Sequence, residues 1–144
     1  MDDTSYPEPD LRLVGAEHIA QYEATGGRVG HDWNNTQCLI AHTIGRRSGR
    51  LIKRALIYAP LGDAFVVVGS KAGADTNPEW YRNMCAVPDI VVQVRNELIP
   101  VRARTSVGAE RAELWARMTR EFPNYQRYQE LTDREIPVVV LERR

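Results

Sequence analysis

Residues 16–25 (AEHIAQYEAT) read as a short helix, with Ile19, Ala20 and Tyr22 at mixed spacing. Gly26-Gly27 closes it, because glycine takes the left-handed stop without penalty. Residues 29–36, with Trp33 and paired asparagines, read as loop. From residue 37 the period becomes extended: 37–43 and 51–59 are strands joined across a polar turn, and Pro60-Leu61-Gly62-Asp63 forms the next turn. Residues 64–70 (AFVVVGS) are too uniformly apolar for an exposed edge, which predicts a central strand and a three-stranded antiparallel meander. Asn77-Pro78 then opens a helix, Asn77 as N-cap and Pro78 at its first position, running through Asn83 until Pro88. Residues 89–95 and 98–105 make a hairpin about Asn96-Glu97, with Val92 and Val94 alternating in one strand, Val101 and Ala103 in the other. Residues 110–121 form the clearest helix, predicted to put Ala112, Leu114, Trp115 and Met118 on one face. Pro123 breaks it, Tyr125 and Tyr128 follow on a short segment, and 136–141 return as a last strand. The order predicts an α+β protein, a small barrel of about six mostly antiparallel strands with flanking helices.

Composition narrows the class. A chain of 144 residues with 43% hydrophobic and 26% charged residues fits one soluble globular domain. Residues 1–15, rich in acids and prolines, read as a flexible N-terminal arm able to fold over a ligand, which leaves 16–144 as one domain. No apolar run reaches the roughly 20 residues of a membrane span. The first residues carry acids where a signal peptide carries bases, so the expected location is cytoplasmic. Cys38 and Cys85 lack metal-ligand spacing and read as buried free thiols, while His18, His31 and His42 are scattered, so no metal is expected.

Charge changes the picture further. The whole chain balances 19 basic against 19 acidic residues, yet 44–54 (IGRRSGRLIKR) holds five cations and no acid. Gly45 and Gly49 bracket Ser48 there, a pattern that exposes backbone N–H groups, and arginine adds flat bidentate donors for phosphate or carboxylate. An anion site is one reading; an Arg-rich hairpin turn kept soluble by its charge is the other. Overall neutrality and the lack of aromatics among these bases argue for a small anion rather than nucleic acid.

Three further clusters stand out, each with a plainer structural alternative. Gly69-Ser70-Lys71-Ala72-Gly73 ends a buried strand and is either a ligand-lining loop or a surface turn. The helix start at Glu79-Trp80-Tyr81-Arg82-Asn83 offers free N–H groups and two aromatics, or simply a core tryptophan. Tyr125 and Tyr128 are three apart on a helical face, as a lid over a flat ligand or as a packing pair. Paired carboxylates, a Ser–His–Asp set and a Walker loop are missing, so chemistry would belong to a bound cofactor rather than to a catalytic side chain.

Taken in order, Gly45-Arg46-Arg47-Ser48-Gly49, Leu56-Ile57-Tyr58, Val66-Val67-Val68-Gly69-Ser70-Lys71, Asn77-Pro78-Glu79-Trp80-Tyr81-Arg82-Asn83, Phe122-Pro123-Asn124-Tyr125 with Tyr128, and Thr132-Asp133-Arg134-Glu135-Ile136-Pro137-Val138 strongly resemble the deazaflavin-dependent nitroreductase family, over about residues 18–141. The resemblance implies a split β-barrel that uses reduced coenzyme F420 to reduce quinones and, incidentally, nitroaromatic compounds, the hydride passing from C5 of the deazaflavin to the stacked acceptor. The coenzyme is a flat ring on a ribityl phosphate with a lactyl and glutamate tail. By resemblance, Arg46, Arg47 and Ser48 contact tail and phosphate, and Ile52, Lys53, Arg54, Ala55, Leu56 and Ile57 follow the same groove. Val68, Gly69, Ser70 and Lys71 line ring and phosphate, while Glu79, Trp80, Tyr81, Arg82 and Asn83 give contacts from the helix start. Tyr125 and Tyr128 close over ring and acceptor, and Ser70 touches the acceptor's polar group. His42-Thr43-Ile44, Ala55 and Ala72 depart from the family's common residues, which bears on the acceptor pocket and turn geometry. The alternatives are an FMN-dependent split-barrel reductase and a non-catalytic deazaflavin carrier. Split barrels of this group can pair, which makes a homodimer an expectation, and quinones reside in membranes, which makes peripheral association through the arm and the 16–25 helix another.

Overall fold

The computed structural model describes residues 8–144. In chain order the elements are α1 (Gly15–Thr25), β1 (Asp32–Trp33), β2 (Thr36–Ile44), β3 (Leu51–Leu61), β4 (Ala64–Val68), α2 (Glu79–Ala86), β5 (Asp89–Val94), β6 (Glu97–Thr105), α3 (Gly108–Glu121), α4 (Asn124–Glu130) and β7 (Val138–Arg143), with one 3₁₀ turn at Lys71–Gly73. Strands β2-β3-β4-β7-β6-β5 pair in that order, and β5 pairs back onto β2, closing a six-stranded barrel in which every ladder is antiparallel. Closure removes the free edges that a sheet would otherwise expose. The split β-barrel with flanking helices is therefore the fold.

The apolar runs explain the layering. In β4, Phe65 and Val67 join Val139 and Leu141 of β7 inside the barrel, while Val66 and Val68 join Val138 and Val140 in a second core. Leu114 and Met118 of α3, with Phe122 and Tyr125, cover that second core. Both faces of β4 and β7 are thus buried, which is why neither strand alternates in sequence. Each fully buried side chain of this size stabilises the fold by roughly 1.5–3 kcal/mol.

The structure corrects several local expectations. Ala112 is exposed, because at 100° per residue it lies opposite Leu114; Trp115 is half-buried beneath the Arg111 guanidinium, 4.9 Å from the ring centroid. β3 runs on through Pro60 and Leu61, which leaves Gly62-Asp63 as the turn. The second hairpin turns at Arg95-Asn96, one residue early, with Arg95 at φ 57°. Pro78 itself is the extended residue before α2, since Asn77 Oδ1 is occupied by Arg134 Nη1 at 2.9 Å. Residues 32–37 form a small hairpin instead of a loop, turning on Asn34 and Asn35 at φ 49° and 62°, a conformation asparagine tolerates. Cys38 is buried as expected, but Cys85 is exposed.

Helix α1 ends at Gly26 in the left-handed region, as its glycines predict. It docks through Tyr22, whose hydroxyl donates to Cys38 O at 3.0 Å and accepts from Arg95 N at 2.8 Å. The expected arm of residues 1–15 lies partly outside the described residues. Of the remainder, Leu13 O accepts Trp33 Nε1 at 2.8 Å, and Asp10 exchanges two hydrogen bonds with the Asn34 side chain. No helix among the described residues is long and apolar enough to cross a membrane.

Candidate active site

A cavity of about 620 Å³ opens where α1, β3, the end of β4 and α4 converge. Of the residues singled out from sequence, β3 supplies Lys53, Arg54, Ala55, Leu56 and Ile57, and the β4 end supplies Val68, Ser70 and Lys71. Trp80 comes from α2, and Tyr125 and Tyr128 from α4. Cations and aromatic rings thus line one cavity together, which suits a flat ring carrying an anionic tail.

The cations differ in how much charge they have left to offer. Lys53 Nζ is paired with Glu23 Oε2 of α1 at 2.6 Å. Arg54 Nη1 donates to Lys53 O at 2.9 Å, and Lys71 Nζ donates to Thr76 Oγ1 at 3.1 Å; neither has an ion-pair partner among the described residues. The positive charge at this cavity therefore rests on Arg54 and Lys71.

The loop carrying Lys71 is strained. Lys71, Ala72 and Gly73 are consecutively left-handed, at φ 46°, 53° and 82°. For the two residues with side chains this costs about 1 kcal/mol each. Ala72 thus meets the demanding turn that its departure from the family's glycine foreshadows. At Gly73 a Cβ would stand 2.8 Å from Tyr128 O, so the loop packs directly on α4.

The other residues singled out from sequence do not line the cavity. Arg46 N and Nη1 donate to Asn83 Oδ1 at 3.1 and 2.8 Å, and Arg46 Nη2 reaches Glu79 Oε1 at 3.1 Å. These bonds fasten the basic turn to the start of α2, and the Arg46 hydrogen bond holds the Glu79 carboxyl below its ordinary pKa. Arg82 Nη1 adds a 3.2 Å contact to the same carboxylate. Arg47 and Ser48 are exposed, Ser48 Oγ accepts from Arg50 N at 3.1 Å, and Ile52 is half-buried beside them. Gly69 is buried against Pro137, and Tyr81 turns away to bond Thr105 Oγ1 at 2.8 Å. Because Asn83 is buried and serves Arg46 twice, Arg46→Glu is expected to lose roughly 1–3 kcal/mol by urea denaturation, whereas Arg47→Glu should stay within about 0.5 kcal/mol. Equal stabilities would show that the turn is not fastened this way.

Several cavity residues carried no role in the sequence. His18, Trp33 and Phe122 line it, with Leu11 and Val14 at its exposed lip. His18 stacks on Trp33 at 6.1 Å between centroids, and His18 Nε2 bonds Gly30 O at 2.8 Å. Tyr125 is only 4% exposed and packs edge-on against Phe122 at 5.1 Å. Burial pushes its phenol, and less strongly that of Tyr128, above the usual tyrosine range. Burial also lifts the Cys38 thiol to about 12, which keeps it protonated.

His42 sits on β2 opposite Lys53, with a buried Nε2 that has no hydrogen-bond partner among the described residues. Burial and then the Lys53 charge lower its pKa, against a smaller opposing pull from Glu23. The unfolded chain accordingly takes up this proton first as pH falls through the ordinary histidine value of 6.5. Stability is expected to decline from that pH down to the lowered folded value, and His42→Leu should flatten this part of a urea-denaturation pH profile. An unchanged slope in the variant would assign the effect elsewhere.

Residues 14–143 match the sequence profile of the F420H(2)-dependent quinone reductases. An F420H(2)-dependent quinone reductase of Mycobacterium tuberculosis (strain ATCC 25618 / H37Rv) is 37% identical over 141 residues, 92% of this chain and 95% of the relative. A solved structure described as an F420-H2 dependent reductase (FDR-A) superposes with a TM-score of 0.68 at 33% identity, over 73% of this chain and 93% of that one. A second, described as a domain-swapped dimer, gives 0.71 at 32% identity, over 88% and 92%.

Proposed function

Since this chain belongs to the F420H(2)-dependent quinone reductase family, we propose that its cavity holds reduced coenzyme F420 against a quinone-like acceptor, with nitroaromatic compounds reduced as a side activity. The observation that carries the reading is the meeting of Arg54 and Lys71, without ion-pair partners among the described residues, with Trp80, Tyr125 and Tyr128 around one cavity. Bound there, the reduced coenzyme supplies a hydride from C5 of its deazaflavin. The chain's own share is binding and positioning. Arg54 and Lys71 take the phosphate and carboxylates, with Lys53 available when Glu23 lets go. Arg46, Arg47 and Ser48, with Ile52, extend this cation surface along the tail, and Glu79, Arg82 and Asn83 keep the turn in place. Ala55, Leu56, Ile57 and Val68 form the apolar bed, with Gly69 buried behind it against Pro137, and Trp80 joins it from the start of α2, from which Tyr81 turns away. Ser70, Tyr125 and Tyr128 orient the acceptor, the Tyr125 hydroxyl as a donor to its oxygen.

Residues 16–144 serve as the coenzyme-binding domain, and residues 1–15 as an arm that completes the lip at Leu11 and Val14. That exposed apolar lip supports peripheral contact with the inner face of the cell membrane, and the domain-swapped neighbour supports a homodimer. The deciding experiment is a fluorescence titration of the purified protein with F420, with FMN in parallel. Selective F420 binding, followed by reduction of menadione, is the expected result; binding of FMN alone would overturn the coenzyme assignment.

A further inference from the structure

Arg134 belongs to the 132–138 signature yet lines no part of the cavity, and its guanidinium is spent entirely on one loop. Nε donates to Ala74 O at 2.7 Å, Nη1 to Gly69 O at 3.1 Å and Asn77 Oδ1 at 2.9 Å, and Nη2 to Ser70 O at 2.7 Å. It has no ion pair among the described residues; the nearby Asp75 carboxylate accepts instead from Thr132 Oγ1 at 2.9 Å. A partly buried cation that serves neutral carbonyls is costly unless the arrangement it fixes matters.

The loop it grips is the strained one, where Lys71 and Ala72 are held left-handed. Such backbone persists only when its surroundings over-determine it. Arg134 is itself anchored to α4: Gln129 Nε2 donates to Arg134 O at 2.7 Å, and Gln129 Oε1 accepts Ile136 N at 3.0 Å. From the other side, Gly73 packs directly on Tyr128 O. The guanidinium therefore ties the wall bearing Ser70 and Lys71 to the helix bearing Tyr125 and Tyr128.

We propose that Arg134 is a positioning residue that clamps the 69–74 loop onto α4 and thereby sets the spacing of Lys71 and Tyr128 across the cavity, on which coenzyme affinity depends. The coenzyme half of this rests on the function proposed above; the clamp does not. Lysine cannot substitute, because a single ammonium lacks the planar fork that reaches four acceptors at once.

The test uses the full chain with Arg134→Lys and, where it folds, Arg134→Ala. Amide hydrogen exchange without ligand reads the clamp at Gly73 N and Ala74 N, which bond Ser70 O and Lys71 O at 2.9 and 3.0 Å. Both variants are expected to lose protection there while barrel amides keep theirs, and the Kd for F420 should rise at least about tenfold. Millimolar guanidinium should restore part of the affinity of Arg134→Ala. Unchanged loop exchange in Arg134→Lys overturns the clamp. A loosened loop with unchanged Kd overturns the link to the coenzyme. A wild-type chain that fails to bind F420 sinks the functional reading and the coenzyme half with it, while the exchange result still decides the clamp.

Discussion

Reversing both free charges of the cavity, in Arg54→Glu with Lys71→Glu, is expected to raise the Kd for coenzyme F420 by at least about 100-fold. A hydrogen bond to a charged group contributes roughly 1.5–3 kcal/mol, and each 1.4 kcal/mol is tenfold in affinity, so two lost contacts reach that figure before repulsion is counted. Both side chains are exposed and neither has an ion pair among the described residues, so the fold should tolerate the change within about 1 kcal/mol. Lys53→Glu makes the informative contrast. Its ammonium is already engaged by Glu23 at 2.6 Å, and reversal would set two carboxylates together and loosen α1. That variant should lose stability as well as affinity. Fluorescence titration beside thermal unfolding separates the cases, and an unchanged Kd in the folded double variant would remove the cationic wall from the coenzyme site.

This contrast also marks where the sequence stopped being informative. The five cations of 44–54 are visible as a cluster, but their division of labour depends on partners far along the chain. Arg46 is committed to Asn83 and Glu79, 37 and 33 residues away, and Lys53 to Glu23, 30 residues back. No local pattern distinguishes these from Arg54. The barrel, by contrast, was legible, because β4 and β7 announce burial on both faces by their unbroken valine runs and Gly26 announces the end of α1. The misplacement of Ala112 was an error of phase within a correctly placed helix. Trp33 and His18 went unassigned for a different reason: His18 reaches the cavity because α1 docks on the barrel through Tyr22, a contact that joins residues 22 and 95, and Trp33 because residues 32–37 form a hairpin that the sequence reads as loop. Tyr125 and Tyr128 were legible as a pair, whereas the difference between a core ring and a half-buried one came only from packing.

That difference gives the tyrosines different expected behaviour. Tyr125→Ala is expected to cost roughly 3–5 kcal/mol, as for other large aromatic truncations in a core, because the ring packs within the cluster of Met118, Phe122 and Val140. Any loss of activity in that variant would therefore say little about catalysis. Tyr125→Phe isolates the hydroxyl. The ring that fills the core stays in place, so stability is expected to change by no more than about 1 kcal/mol. If it donates to the acceptor oxygen, kcat with a quinone should fall roughly 10- to 100-fold, the loss of a single well-placed donor, while the Kd for F420 stays put. Tyr128→Phe is the companion variant, since Tyr128 lines the same cavity from a half-buried position and its hydroxyl is tested in the same way. Steady-state kinetics with menadione beside urea denaturation reads both quantities. Unchanged kcat in Tyr125→Phe would make Tyr125 a structural floor and leave Ser70 and Tyr128 as the groups that meet the acceptor.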